Sequence, residues 1–188
     1  MKNRLFRTLL CVLLVGCLAV SLCACGEEPA PSLITDHCYI TQESNGKTYS
    51  CTVTDMHGNT MFHRTDLVAP PEAMAIDDNV LCIYLRFGDE VKGSWAVYCD
   101  VNNGGTSKVF ANVLGIKGMT IAYTDYLTDA HHVFIRDAVD EAVHFEAHTL
   151  IDADQGDPVL RGAVNEEGDL VVTYLSGSAE KTIELAMP

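Results

Sequence analysis

The sequence predicts an all-β domain of antiparallel strands, and three observations predict it. From Asn45-Gly46 to Ser176–Ser178, turn signals recur about every dozen residues, the cadence of short strands joined by tight loops. Val143–Leu150 alternates side-chain character with a period of two, His144, Glu146 and His148 against Val143, Phe145 and Ala147, as a strand with distinct faces requires. No segment sustains a 3.6-residue apolar period over three turns, and Asp137–Glu141 is a single helical turn at most.

Taken in order, His37–Gln42 and Thr48–Thr54 flank Asn45-Gly46, and Thr60–Thr65 follows His57-Gly58-Asn59. Ala73–Ile76 and Val80–Phe87 flank Asp77-Asp78-Asn79; Ser94–Val101 follows Gly88-Asp89, and Ser107–Val113 follows Asn102–Gly105. Met119–Thr124 comes after Gly115–Gly118, and His132–Arg136 and Val143–Leu150 come next. Val159–Val164, Leu170–Leu175 and Lys181–Leu185 follow Asp154–Asp157, Glu166–Gly168 and Ser176–Ser178 in turn. Pro71–Leu114 and Lys117–Leu160 each read as four short strands, with Val159–Leu185 as a partial third unit. That length matches a propeller blade, although no motif recurs at fixed offsets and roughly four to eight blades are usual. The expected architecture is a small or incomplete β-propeller-like antiparallel arrangement, with a β-sandwich as the close alternative.

One hairpin can be read in register. With Gly88–Gly93 as its loop, Cys82 faces Cys99, Tyr84 faces Val97, and Arg86 faces Trp95 in a cation–π pair. Leu81, Ile83, Leu85 and Phe87 then share a core face, because a one-residue slip would exchange the two faces. Cys82 and Cys99 become a disulfide candidate, against the alternative of two buried free thiols. Cys38 and Cys51 flank the Asn45-Gly46 turn, which sets Cys51 opposite Ile40 and leaves the two cysteines diagonal.

The first 25 residues have a different character. Lys2, Arg4 and Arg7 form a basic start, and Thr8–Leu22 then carries no charge. A helix of about fifteen residues is roughly 22 Å long, short for a membrane span and suited to a signal-peptide core. The run ends in Leu22-Cys23-Ala24-Cys25. This junction resembles the lipobox of bacterial lipoproteins. The resemblance implies diacylglyceryl attachment to the thiol of Cys25 and cleavage before it by the lipoprotein-processing signal peptidase. Leu14-Val15-Gly16-Cys17 is an alternative match, with Cys17 as the lipid site, but it leaves a short apolar core. The implied organisation is a signal peptide over 1–24, a polar, Pro-containing tether over 25–32 and one extracytoplasmic domain over 33–188. The implied location is the outer face of the cytoplasmic membrane.

Charge narrows the partners. The chain carries 26 acids against 12 Lys and Arg, a net −14; losing the three basic residues of the leader brings it to −17. Such a surface is repelled by nucleic acid, whose binding depends on Lys and Arg neutralising phosphates, and by anionic headgroups. The membrane is therefore held through the lipid rather than the protein surface. Asp125–Asp169 concentrates twelve acids against Arg136 and Arg161.

Two constellations carry donor chemistry. On a strand, His144, Glu146 and His148 share one face, two imidazoles and a carboxylate suited to Zn²⁺ or another transition ion. The default alternative is a solvated polar face. Asp152, Asp154 and Asp157 gather oxygen donors in one Gly-containing loop, but the spacing is not that of an EF-hand. No cofactor is expected. GxSxG, P-loop and GxGxxG motifs are all missing from the sequence. The function expected is thus a binding or interaction protein of unspecified ligand. The alternative is a metal-binding protein or hydrolytic enzyme using the His144/Glu146/His148 face.

Overall fold

The chain divides into two units, Met1–Ser32 and Leu33–Pro188. The computed structural model describes residues 36–43, 45–88 and 90–188, all within the second unit. The leader, the tether, Cys17 and Cys25 lie outside the described residues.

Strands dominate the described residues and form four antiparallel sheets that follow one another along the chain. The first sheet joins β1 (Cys38–Gln42), β2 (Tyr49–Thr54) and β3 (Thr60–Leu67). The second joins β4 (Glu72–Ala75), β5 (Val80–Phe87), β6 (Glu90–Asp100) and β7 (Gly105–Thr106), with β8 (Phe110–Ala111) also on β6. The third joins β9 (Val113–Lys117), β10 (Thr120–Leu127), β11 (Ala130–Asp137) and β12 (Phe145–Leu150). The last joins β13 (Val159–Val164), β14 (Leu170–Ser176) and β15 (Ala179–Leu185). The chain thus makes four successive units. The sequence reading began its repeat only at Pro71 and left the first sheet outside it.

Each sheet packs on the next, which explains the apolar runs. Leu81, Ile83, Leu85, Trp95, Val97 and Cys99 bury one face of the β5–β6 pair against Cys38, Cys51, Val53 and Leu67 of the first sheet. Cys82, Ala96 and Tyr98 bury the other face against Phe110, Val113 and Ile121. Strands covered on both faces lose the alternation of half-exposed ones, so VLCIYLRF is apolar nearly throughout. On the far side of the third sheet, Leu114, Ala122, Val133 and Ile135 meet Leu170, Val172 and Tyr174.

Local chemistry fixes the turns. Asp55, Asp77, Asp100 and Asp137 each accept backbone N–H bonds two to four residues ahead, the Asx geometry that short carboxylates favour. Much of the acidity is therefore invested in loops. The β10–β11 turn is Thr128-Asp129, both at positive φ (49° and 63°), a conformation usually given to Asn-Gly; its composition hides it from a sequence reading. Asp137–Glu141 forms turns on the Asp137 and Asp140 carboxylates.

The β5–β6 register differs from the expected one by one residue. Leu81 pairs with Cys99, Cys82 with Tyr98, Tyr84 with Ala96 and Leu85 with Trp95. The cause is an irregularity near the turn: Phe87 pairs with Glu90, leaving Val91–Ser94 against Arg86 alone. Ser94 holds this bulge, donating from Oγ to the Val91 carbonyl at 2.5 Å and accepting from the Val113 N–H at 2.7 Å. Leu81, Ile83, Leu85 and Phe87 do share one core cluster. Cys82 and Cys99, however, point to opposite faces, so the expected Cys82–Cys99 disulfide is excluded by strand alternation. Both are free buried thiols, as are Cys38 and Cys51. The cation over Trp95 is Arg64, 4.6 Å from the ring centroid, rather than Arg86.

Of Ser107–Val113, expected as one strand, only Phe110–Ala111 forms β8 before the chain turns at Asn112, where φ is 53°, and β9 begins at Val113. Gly115, expected in a turn, lies inside β9. It is glycine there because a Cβ would stand 2.9 Å from Val164 Cγ2 and 3.1 Å from Leu170 Cδ1.

Candidate functional site

The second, third and fourth sheets meet along β13, and a cleft opens near each end of that strand. The one near its start, about 150 Å³, has mixed polar and apolar walls. Its wall includes Lys92, Asn112, Asp125, Tyr126, His131 and Asp157. Tyr126 and His131 are cross-strand partners at the end of the β10–β11 hairpin, with ring centroids 4.8 Å apart. Lys92 Nζ donates to Asp157 Oδ2 at 2.5 Å. That hydrogen bond, then the Lys92 charge, holds the Asp157 carboxyl below its ordinary range, and the same contact raises Lys92. His131 Nε2 is buried without a partner among the described residues.

The cleft near the end of β13, about 230 Å³, is mostly apolar, lined by Met74, Leu114, Ile116, Ala163 and Val164 together with Tyr84 and Arg86. Arg86 reaches it from β5, the only charged residue in that strand's sequence. Its Nη2 donates to the Gly162 carbonyl at 2.5 Å and its Nη1 reaches the Tyr84 hydroxyl at 3.4 Å. Arg86 Nε is buried and unpartnered among the described residues. The sequence reading missed this role for Arg86. The signal was present in a lone cation within an otherwise apolar strand, but the shifted register had assigned the guanidinium to Trp95.

The sequence-predicted donors are distributed elsewhere. Glu146 gathers the two histidines, Oε2 at 3.0 Å from His148 Nε2 and Oε1 at 3.8 Å from His144 Nε2. The carboxylate thus meets His148 at hydrogen-bond distance, whereas His144 Nε2 is buried without a hydrogen-bond partner among the described residues. Among the described residues, no group of three or more His, Cys, Asp or Glu is arranged to hold a metal ion.

The three loop aspartates do not converge either, because protein donors take each one. Asp152 accepts from Lys181, from the Tyr174 hydroxyl at 2.9 Å and from the Ser176 hydroxyl at 3.2 Å. Asp154 accepts from the N–H groups of Gly177 and Ser178 at 2.6 and 2.9 Å, capping the β14–β15 turn. Asp157 is held by Lys92. The acidic loop is a set of struts between neighbouring hairpins.

No protein-family model matches the chain, and no curated protein matches it. Among solved structures, it is similar to TolB from Acinetobacter baumannii, with 11% identity and a TM-score of 0.39. The match covers 82% of this chain and 40% of the TolB chain, so this chain spans about two fifths of that protein's length. A likeness at that level carries no functional argument.

Proposed function

We propose that this chain is a lipid-anchored extracytoplasmic binding protein, tethered through a diacylglyceryl Cys25 and binding a small molecule along β13. One observation carries the binding reading. Each of the two clefts on that seam has in its wall a buried side-chain nitrogen without a protein partner, His131 Nε2 in one and Arg86 Nε in the other. Buried polar groups are nearly always hydrogen-bonded, so two orphans at two clefts of one seam mark places where something else supplies the acceptor or donor. Apolar walls with a few placed polar groups are the lining small-molecule sites use, and volumes of about 150 and 230 Å³ limit the ligand to a small one.

The anchor rests on the basic start, the uncharged run and the Leu22–Cys25 junction. A diacylglyceryl group supplies two chains, and one acyl chain alone holds a protein only marginally. The membrane is then the first partner and the lipoprotein signal peptidase the second, with nucleic acid disfavoured by the charge. The four sheets are read as blades of a small, incomplete propeller. A sandwich would sort the strands into two sheets around one core, whereas here sheets succeed each other in chain order with a cluster between each neighbouring pair.

Two measurements test this reading. Labelling with radioactive palmitate should be lost in Cys25→Ala and retained in Cys17→Ala; the reverse would move the anchor to Cys17. Native mass spectrometry of the full chain against a library of small metabolites should capture a ligand that Ala163→Phe or Tyr126→Ala displaces. A library with no such ligand would sink the binding reading.

A further inference from the structure

We infer that the Arg86 cleft takes a small monocarboxylate with an apolar body, an inference that rests on reading this chain as a binding protein. In a chain with 26 acids and 12 basic residues, a cation held partly out of water would be expected to recruit an acid. Arg136, the buried case, pairs with Glu141, and even the more exposed Lys92, Arg161 and Lys181 pair with Asp157, Glu180 and Asp152. Arg86 is half-buried and makes no ion pair among the described residues. Glu72, directly across from Tyr84 on β4, points no carboxylate oxygen within ion-pair distance of it.

The guanidinium offers five N–H donors in a planar fork. The Gly162 carbonyl takes one well and the Tyr84 hydroxyl takes one at 3.4 Å, which leaves Nε–H, on a nitrogen with no partner, and one N–H on each terminal nitrogen. A carboxylate fits that remainder, because two oxygens can accept two parallel N–H bonds from one guanidinium. The walls supplied by Met74, Leu114, Ile116 and Val164 suit hydrocarbon and offer a second ionic group no partner. The charge count therefore selects a monoanion: a dianion would carry one uncompensated charge into an apolar cleft, and a cation would meet Arg86 itself. With about 230 Å³ of space, the cleft has room for a short branched or aromatic body beyond the acid group.

The test is calorimetric titration of the full-length chain in detergent with butyrate, isovalerate and benzoate, each beside its primary amide. At least one acid should bind saturably, with its amide about tenfold weaker or more, because the amide lacks the charge that the guanidinium recognises. Arg86→Met and Arg86→Lys should both lose binding, the second because an ammonium lacks the planar fork. Arg86 also ties β5 to Gly162, so its loss could act through the fold. Ala163→Phe fills the same cleft with the guanidinium left in place, and it too should abolish binding while the circular dichroism spectrum is unchanged. Acids and amides binding alike, none of the acids binding, or Ala163→Phe binding as well as wild type would each overturn the inference. A library ligand that is not a carboxylate, captured by wild type and displaced by Ala163→Phe, would overturn it too while leaving the binding-protein reading intact.

Discussion

Gly162 of β13 lies directly against Leu114 of β9. A Cβ on Gly162 would stand 2.6 Å from Leu114 Cβ and 2.8 Å from Leu114 Cα. Leu114 is itself the extra residue of a bulge, since Ala122 pairs with Gly115 while Tyr123 pairs with Val113. The bulge brings the chain of β9 forward, and the missing side chain on β13 accepts it. The Gly162 carbonyl remains free to take Arg86. One small residue thus sets the spacing of two sheets and the position of the cleft cation.

Gly162→Ala should therefore destabilise the domain by about 1–3 kcal/mol, the range for overpacking a tight contact. Backbone cannot give way as a flexible side chain can. Gly105→Ala is the control: its added Cβ meets nothing within 4 Å, and its effect should stay within about 0.5 kcal/mol. Urea melts of both variants at equal m-value decide the matter. Equal midpoints would mean that β9 and β13 are not in backbone contact.

Ser94 should prove costly for so small a side chain. It is 1% exposed, and its hydroxyl joins the Val91 carbonyl to the Val113 N–H across the second and third sheets. In Ser94→Ala the Val113 N–H is left buried without its acceptor, a loss of about 1–3 kcal/mol. Hydrogen exchange at the Val113 amide should accelerate along with it. An unchanged exchange rate there would show that the hydroxyl does not hold the bulge.

That bulge also marks where the sequence stops being legible. The strands, most of their turns and the core face of Leu81, Ile83, Leu85 and Phe87 follow from period-two patterning and turn residues, which are local. The pairing of β1 with β2 was also readable, with Cys51 opposite Ile40, because Asn45-Gly46 centres the turn. The β5–β6 pairing was not. Its register depends on Val91–Ser94 bulging out, and the bond that stabilises the bulge comes from Val113, nineteen residues away. The clefts are less legible still. Arg86 and Gly162 are 76 residues apart, and Tyr126 meets His131 only because Thr128-Asp129 adopts a turn its composition does not announce. The aspartate loop misled for a related reason: Lys181, Tyr174 and Gly177 consume its oxygens from another hairpin.

The register makes a prediction about the cysteines. Cys82 packs with Tyr98 in one cluster and Cys99 with Leu81 in another. Burial raises both thiols to about 12, so neither is a ready thiolate near neutral pH. Cys82→Ala and Cys99→Ala should each destabilise modestly, their effects should add within about 0.5 kcal/mol, and reductant should change neither. A reductant-sensitive loss shared by the two variants would restore the disulfide and move the register by one residue.

The last prediction concerns acid. Asp152 is half-exposed and accepts from Lys181, Tyr174 and Ser176. The Lys181 hydrogen bond first, and then that from Tyr174, hold its carboxyl at about 2, against an ordinary 3.8. The folded value lies below the unfolded one, so the unfolded chain takes up this proton first as pH falls. The stabilising contribution is fully present above the unfolded value of 3.8 and is lost as pH drops through about 2. Between those limits unfolding should take up as much as about one proton at this site. Asp152→Asn should remove that uptake, making the dependence of stability on pH shallower between pH 4 and 2. Lys181→Met should do the same in part, by letting the carboxyl rise toward its ordinary value. Carboxyl-carbon NMR titration of the wild type reads the site directly. An Asp152 midpoint at 3.8 would mean that Lys181 is not seated on it, and the strut between the loop and β15 would have to be withdrawn.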